Sequence, residues 1–135
     1  MRHFFLKTKF NADFKYYNDY LQVNILVAGG CSFWCHKQDG KITPSLKSAE
    51  LYDVELDKWF KVADLPVPLQ SASMELLGGK PTIIGGFDSD SLDWNPILYQ
   101  YDAEANDWTP LPNVRMRMPR SSAAVFQVPR DLFYC

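Results

Sequence analysis

The chain writes one twelve-residue phrase twice. "SAELYDVELDKW" occupies residues 48–59 and "ILYQYDAEANDW" occupies 97–108, each with a Tyr-Asp and a tryptophan six residues past the aspartate. Tyr52 and Tyr101, Asp53 and Asp102, Glu55 and Glu104, and Trp59 and Trp108 all stand 49 apart. A second marker recurs upstream, where "ILVAGG" ends in Gly29-Gly30 and "TIIGG" ends in Gly85-Gly86, the two pairs 56 apart. "DLP" at 64–66 is echoed by "PLP" at 110–112, 46 apart, and loops of unequal length account for the differences. A repeat of about 50 residues constrains the fold strongly, because a unit this short buries its apolar face only by stacking on a neighbour.

Residues 25–28 and 82–84 are short apolar runs closed by paired glycines, the pattern of central strands buried on both faces with positive φ or close backbone approach at the strand end. Residues 51–54 and 98–102 read as third strands. "VELDK" and "AEAND" turn them into fourth strands that begin at Trp59 and Trp108. Residues 71–77 and 121–128 read as innermost strands, and Gly78, Gly79 and Lys80 close the hairpin between the first and second strands of the middle repeat. Tyr52, Trp59, Tyr101 and Trp108 are expected to pack one unit on the next.

The combined pattern of apolar strand, Gly-Gly, variable loop, Tyr-Asp and Trp resembles the kelch repeat family over roughly residues 24–128. The resemblance implies an all-β fold of about two four-stranded antiparallel blades of a kelch β-propeller. Propellers close with about four to eight blades. The ring is therefore expected to be incomplete, to be completed by further blades or by self-association. The expected divisions are an aromatic-rich segment at 1–22, a first repeat at 23–70 lacking a clear innermost strand, a second repeat at 71–120, and at 121–135 the innermost strand of a following blade with a tail. In the first segment "HFFLKTKF" alternates like a strand, while Phe10, Phe14, Tyr17 and Leu21 share a helical face, which favours a helix over 12–21.

Composition narrows the class. Fifteen per cent aromatic residues, nine prolines and seven glycines suit short half-buried strands, and 47% hydrophobic residues suffice for a core. Fourteen basic against sixteen acidic residues, with no basic cluster, argue against a nucleic-acid partner. No apolar run is long enough for a membrane span or for the core of a signal peptide, no Asn-x-Ser/Thr occurs, and three cysteines form no regular framework, so a cytoplasmic, reduced protein is expected. "CSFWCH" brings Cys31, Cys35 and His36 together, with Cys135 at the far end, but no second ligand pair stands at zinc-site spacing, and neither metal nor cofactor is expected. No Gly-rich phosphate loop, nucleophile elbow or paired acid and base is present, so no enzyme activity is expected.

In the family that the chain resembles, the loops after Gly-Gly and the loops between blades share one face, and that face holds partners. Here those loops are 31–47 and 87–96, and 66–70 and 112–120. They place Phe33, Trp34 and His36, then Phe87, Asp88, Asp90, Asp93 and Trp94, as candidate partner-binding residues, since exposed aromatics beside charges make binding hot spots. The alternative is that these rings tuck under their own loops. "MPRSSAAV" resembles the family's Pro-Arg entry into an innermost strand and adds Arg120 and Ser122; "LQSASMEL" has Leu69-Gln70 in that place. Arg115, Arg117 and Arg120 together can receive an acidic peptide. The reading is a protein-binding module, with the substrate-recognition part of a cullin-type ubiquitin ligase adaptor as the role that the resemblance suggests. An actin-associated structural protein is the second reading. A fragment of a kelch-type oxidase is the third, disfavoured because the Tyr, His and Cys ligands that it needs from several blades are missing.

Overall fold

The computed structural model describes residues 24–31 and 44–128, and every element among them is a strand. β1 (Ile25–Ala28), β2 (Ala49–Asp53) and β3 (Lys58–Val62) form a three-stranded antiparallel sheet in the order β1-β2-β3. β4 (Ser73–Leu77), β5 (Lys80–Ile84), β8 (Ile97–Asp102) and β9 (Asp107–Arg115) form a four-stranded one, and the short pair β6 (Phe87–Asp88) and β7 (Asp93–Trp94) is inserted between β5 and β8. The helix expected over 12–21 lies outside the described residues.

The repeated phrase is the hairpin between a sheet's last two strands, and each of its residues has a local task. Asp53 accepts hydrogen bonds from the backbone N–H groups of Glu55 and Leu56, both at 2.9 Å, and Asp102 does the same for Glu104 and Ala105 at 3.0 and 3.1 Å. These aspartates pin the turn. Asp57 and Asn106 take its left-handed corner, with φ of 52° and 49°, a conformation that Asp and Asn tolerate better than most residues. The tyrosine hydroxyls then reach back to the same corners, Tyr52 to Asp57 and Tyr101 to Asn106, the latter at 2.9 Å. Each tyrosine ring lies opposite the tryptophan that follows, with centroids 5.1 Å apart for Tyr52 and Trp59 and 5.0 Å for Tyr101 and Trp108. Gly78 and Gly79, both at positive φ, close the β4–β5 hairpin in the two-residue geometry that the right-handed strand twist favours.

The core lies between the two sheets. Val62, Leu65 and Leu69 of the first sheet and its exit meet Ile83, Tyr99, Tyr101 and Trp108 of the second, all buried. Trp108 is 3% exposed and donates its Nε1–H to the Ala63 carbonyl oxygen at 2.9 Å, while the Ala63 N–H donates to Asn106 Oδ1. The second repeat's hairpin is thus clamped to the end of β3.

Three expectations need correction. Trp59 is 53% exposed rather than packed between sheets, because among the described residues no sheet stands on the side that it faces. β1 is not buried on both faces among the described residues, for Ile25 and Val27 are 49% exposed there and the strand pairs only with β2. Residues 121–128 are not a strand, since among the described residues no second strand lies beside them to complete their hydrogen bonds.

The register of the second repeat also differs from the sequence reading. Leu65 N–H donates to the Lys47 carbonyl and Met116 N–H to the Pro96 carbonyl, while the side chains of Leu65 and Met116 approach Gly29 and Gly85 alike. Leu65 therefore corresponds to Met116, not to Leu111, and Pro68-Leu69 corresponds to Pro119-Arg120. Two extra residues enter where β9 bulges away from β8, between the pairs Tyr99–Pro110 and Ile97–Arg115. Pro110 and Pro112 lack the N–H that a regular ladder would use there.

Candidate partner-binding face

The paired glycines build this face. Gly29 and Gly85 sit at φ of 73° and 74°, and a Cβ on either would collide with a backbone carbonyl oxygen, that of Leu69 or that of Arg120. The next glycine donates its N–H to the same oxygen, Gly30 to Leu69 at 2.7 Å and Gly86 to Arg120 at 2.9 Å. Each inter-sheet connection is therefore seated directly on a strand end, which only residues without side chains permit.

The loops that leave these seats close in the same way. Leu46 N–H donates to the Gly30 carbonyl at 2.8 Å and Asn95 N–H donates to the Gly86 carbonyl at 2.9 Å, although 15 residues intervene in the first loop and 8 in the second. Asn95, 6% exposed, holds the second loop's base with its amide group, which donates to the Ile97 carbonyl at 2.7 Å and the Gly85 carbonyl at 3.2 Å and accepts from the Ile97 N–H.

The second loop is the β6–β7 hairpin. Phe87 is half-buried, pairs with Gln70 in both directions through its backbone, and meets Trp94 edge-on at 5.1 Å. Asp88 is occupied in the turn, accepting from the N–H groups of Asp90 and Ser91, and its charge together with burial holds the Tyr99 hydroxyl above the usual tyrosine range, burial being the larger cause. Trp94 is 46% exposed, and Asp90, Leu92 and Asp93 are exposed beside it. Ser45 ties the hairpin to the first loop, its N–H donating to Ser89 Oγ at 2.8 Å and its hydroxyl to the Phe87 carbonyl at 3.2 Å. The two post-glycine loops are neighbours at this point.

Arg120 is exposed with its main chain seated on Gly86, and Ser122, at φ 51°, donates its N–H to the Ser71 carbonyl. Ser71 has the matching φ of 56°. The residue corresponding to Arg120 is Leu69, which is fully buried, so the arginine stands where the first repeat has a core residue. Phe33, Trp34, Cys35, His36 and Cys135 lie outside the described residues; the bridge from Cys31 to Ser45 marks the mouth of the loop that carries the first four. Among the described residues no three His, Cys, Asp or Glu side chains gather to hold a metal, and no helix is long and apolar enough to cross a membrane.

Sequence reasoning did not single out Ser45, Ser89, Asn95 or Asn106. Asn106 was legible as the partner of Asp57 in the repeat; the others act through loop contacts that the repeat does not encode.

A family described as the Kelch motif matches residues 24–66, which hold the first sheet, its Gly-Gly end and its Tyr-Asp and Trp. The repeats are kelch repeats. The chain is 28% identical over 112 residues to Kelch-like protein terF of Aspergillus terreus, covering 81% of this chain and 24% of that protein. It is 33% identical over 79 residues to human Kelch-like protein 4, covering 58% of this chain and 10% of that one. The solved structure of YjhT superposes with a TM-score of 0.56 at 14% identity, over 73% of this chain and 37% of that chain, a likeness of fold. The chain thus spans about a quarter or less of the curated relatives named here. Its sheets are all-β kelch propeller blades, two of them among the described residues and fewer than a closed ring requires.

Proposed function

We propose that this kelch chain is a non-enzymatic, cytoplasmic protein-binding module whose recognition surface is the face made by the loops after Gly30 and Gly86, with Arg120 and Ser122 on its rim. The observation that carries the reading is Trp94. A large aromatic stays 46% exposed on a hairpin braced by Phe87, Ser45 and Asn95, beside Asp90 and Asp93, which describes a preorganised hot spot rather than a ring folded beneath its own loop. Phe33, Trp34 and His36, in the loop after Gly30, stay in the proposal on sequence grounds alone. Asp88 drops to a supporting part, since the turn uses its carboxylate. The kelch-like relatives support a role in protein recognition, and the substrate-receptor part of a cullin-type ubiquitin ligase adaptor is the form that we favour.

The test is capture of cytoplasmic proteins on immobilised chain, compared with Trp94→Ala and Asp90→Ser variants and followed by mass spectrometry. The proteins retained by the native chain should be lost from the variants while far-UV circular dichroism is unchanged. Retention of the same proteins by all three would place recognition elsewhere. Stabilisation of a captured protein in cells when the gene is silenced would support the adaptor role; unchanged turnover would remove it.

A further inference from the structure

The β6–β7 hairpin carries charge of one sign. From Pro81 to Val114 the sequence holds the acidic residues Asp88, Asp90, Asp93, Asp102, Glu104 and Asp107, and neither lysine nor arginine. Asp88, Asp90 and Asp93 stand on this hairpin, and Asp88 and Asp93 oppose each other across its ladder. Like charges placed directly opposite destabilise a strand pair, so this pairing favours a cation beside it. Asp88 accepts from the N–H groups of Asp90 and Ser91, and Asp93 from that of Trp94, each through Oδ1. Those bonds place the carboxylates without supplying a full opposite charge. Among the described residues the ion pairs are Lys61–Asp64 and Lys80–Asp102, and neither involves the hairpin.

Cross-strand pairing also sorts the hairpin's two faces. Phe87 and Trp94 share one and Asp88 and Asp93 the other, while the turn between the strands presents Asp90, Ser91 and Leu92 to solvent. A segment laid across this turn meets an aromatic on one flank and carboxylates on the other. Leu92 is 62% exposed at a φ of 57°, and Trp94 is 46% exposed. Leucine is displayed there at a backbone cost that Gly or Asn would avoid. Resting on the reading of the post-glycine face as the recognition surface, we propose that the hairpin docks a basic segment of a protein partner, one in which Lys or Arg flanks an apolar residue. Leu92 and Trp94 take the apolar side chain, Asp90 and Asp93 take the cations, and Asp88 adds its charge beside them. Arginine has a further fit, since its guanidinium stacks on an indole face. The single sign of charge speeds encounter with a basic segment and excludes an acidic one.

The test is selection of random phage-displayed peptides on the immobilised 135-residue chain, followed by titration of the selected peptides against the native chain and its variants. Lys and Arg should be enriched next to apolar residues, and affinity should fall as NaCl is raised from about 50 to about 300 mM. Asp90→Asn combined with Asp93→Asn keeps an acceptor oxygen for the Trp94 N–H and should weaken binding about tenfold. The same double variant should melt no lower than the native chain, because it removes the opposition to Asp88. Acidic selected peptides, or peptides that bind the double variant as tightly as the native chain, would overturn the basic-segment proposal; loss of their binding on Trp94→Ala would still leave the recognition face standing. Peptides insensitive to all these substitutions, or no selection at all, would overturn both. A lower melting midpoint for the double variant would assign the carboxylates to the chain's own stability and overturn the proposal as well.

Discussion

Trp108 reaches across a blade boundary to the Ala63 carbonyl oxygen, 45 residues earlier in the chain, and the equivalent Trp59 has no such partner among the described residues. The same residue in the same hairpin is therefore core in one repeat and surface in the other. Trp108→Ala should destabilise the fold by about 3 to 5 kcal/mol, for it empties the inter-blade core and strips a donor from a carbonyl. Trp59→Ala, at a ring 53% exposed, should cost about 1 kcal/mol or less. Denaturant melts of the two variants side by side measure the contrast, and equal losses would contradict the packing described.

The glycine seats give a second contrast. Alanine at Gly29 or Gly85 meets a backbone carbonyl as well as an unfavourable φ, whereas alanine at Gly78 meets only the φ, with open space around it. The Gly78→Ala cost should be about 1 kcal/mol, and the costs at Gly29 and Gly85 should exceed it clearly. Thermal midpoints would rank the three.

Asn95 holds the base of the recognition hairpin with a buried amide. Asn95→Ala leaves the Gly85 and Ile97 carbonyls without that partner, and the expected cost is about 1 to 3 kcal/mol. Hydrogen exchange should show faster opening of residues 87–97 than of β4 and β5. Uniform acceleration across the blade would mean that the hairpin is not a separately latched unit.

Alkaline pH should weaken the fold in a defined direction. Burial raises the hydroxyl pKa of Tyr99 and Tyr101, with nearby Asp88 and Asp102 adding to the effect. Above about pH 10 the unfolded chain releases these protons while the folded chain retains them. The stabilisation is complete below that point and is lost as pH rises through the raised folded values. Tyr101→Phe should make the decline shallower in melts followed above pH 9, roughly the onset of tyrosine titration; an unchanged slope would assign the loss to other groups.

The hairpin chemistry was legible in the sequence because it is local. Tyr52, Asp53, Asp57 and Trp59 satisfy one another within eight residues, so their spacing survives as a visible motif. What depends on a neighbour was not legible. Among the described residues, the exposure of Trp59, the lack of a ladder at 121–128 and the exposure of Ile25 and Val27 follow from which surfaces stand opposite, and no residue type announces that. The false match of "DLP" to "PLP" arose because leucine between prolines is a stronger pattern to the eye than the actual counterpart, Leu65 with Met116, which backbone hydrogen bonds define. The β6–β7 hairpin escaped notice for a similar reason, its two-residue strands being too short to show alternation.

The closing bonds from Leu46 to Gly30 and from Asn95 to Gly86 separate what a loop costs from what it displays. Chain-closure entropy grows only with the logarithm of length, so 15 residues in place of 8 across the same mouth cost about 0.6 kcal/mol more. Neither blade has to move to accommodate the difference. Each Gly-Gly seat is a socket of fixed geometry into which segments of unrelated length and composition can be exchanged, leaving the surface of this molecule free to diverge far faster than its frame.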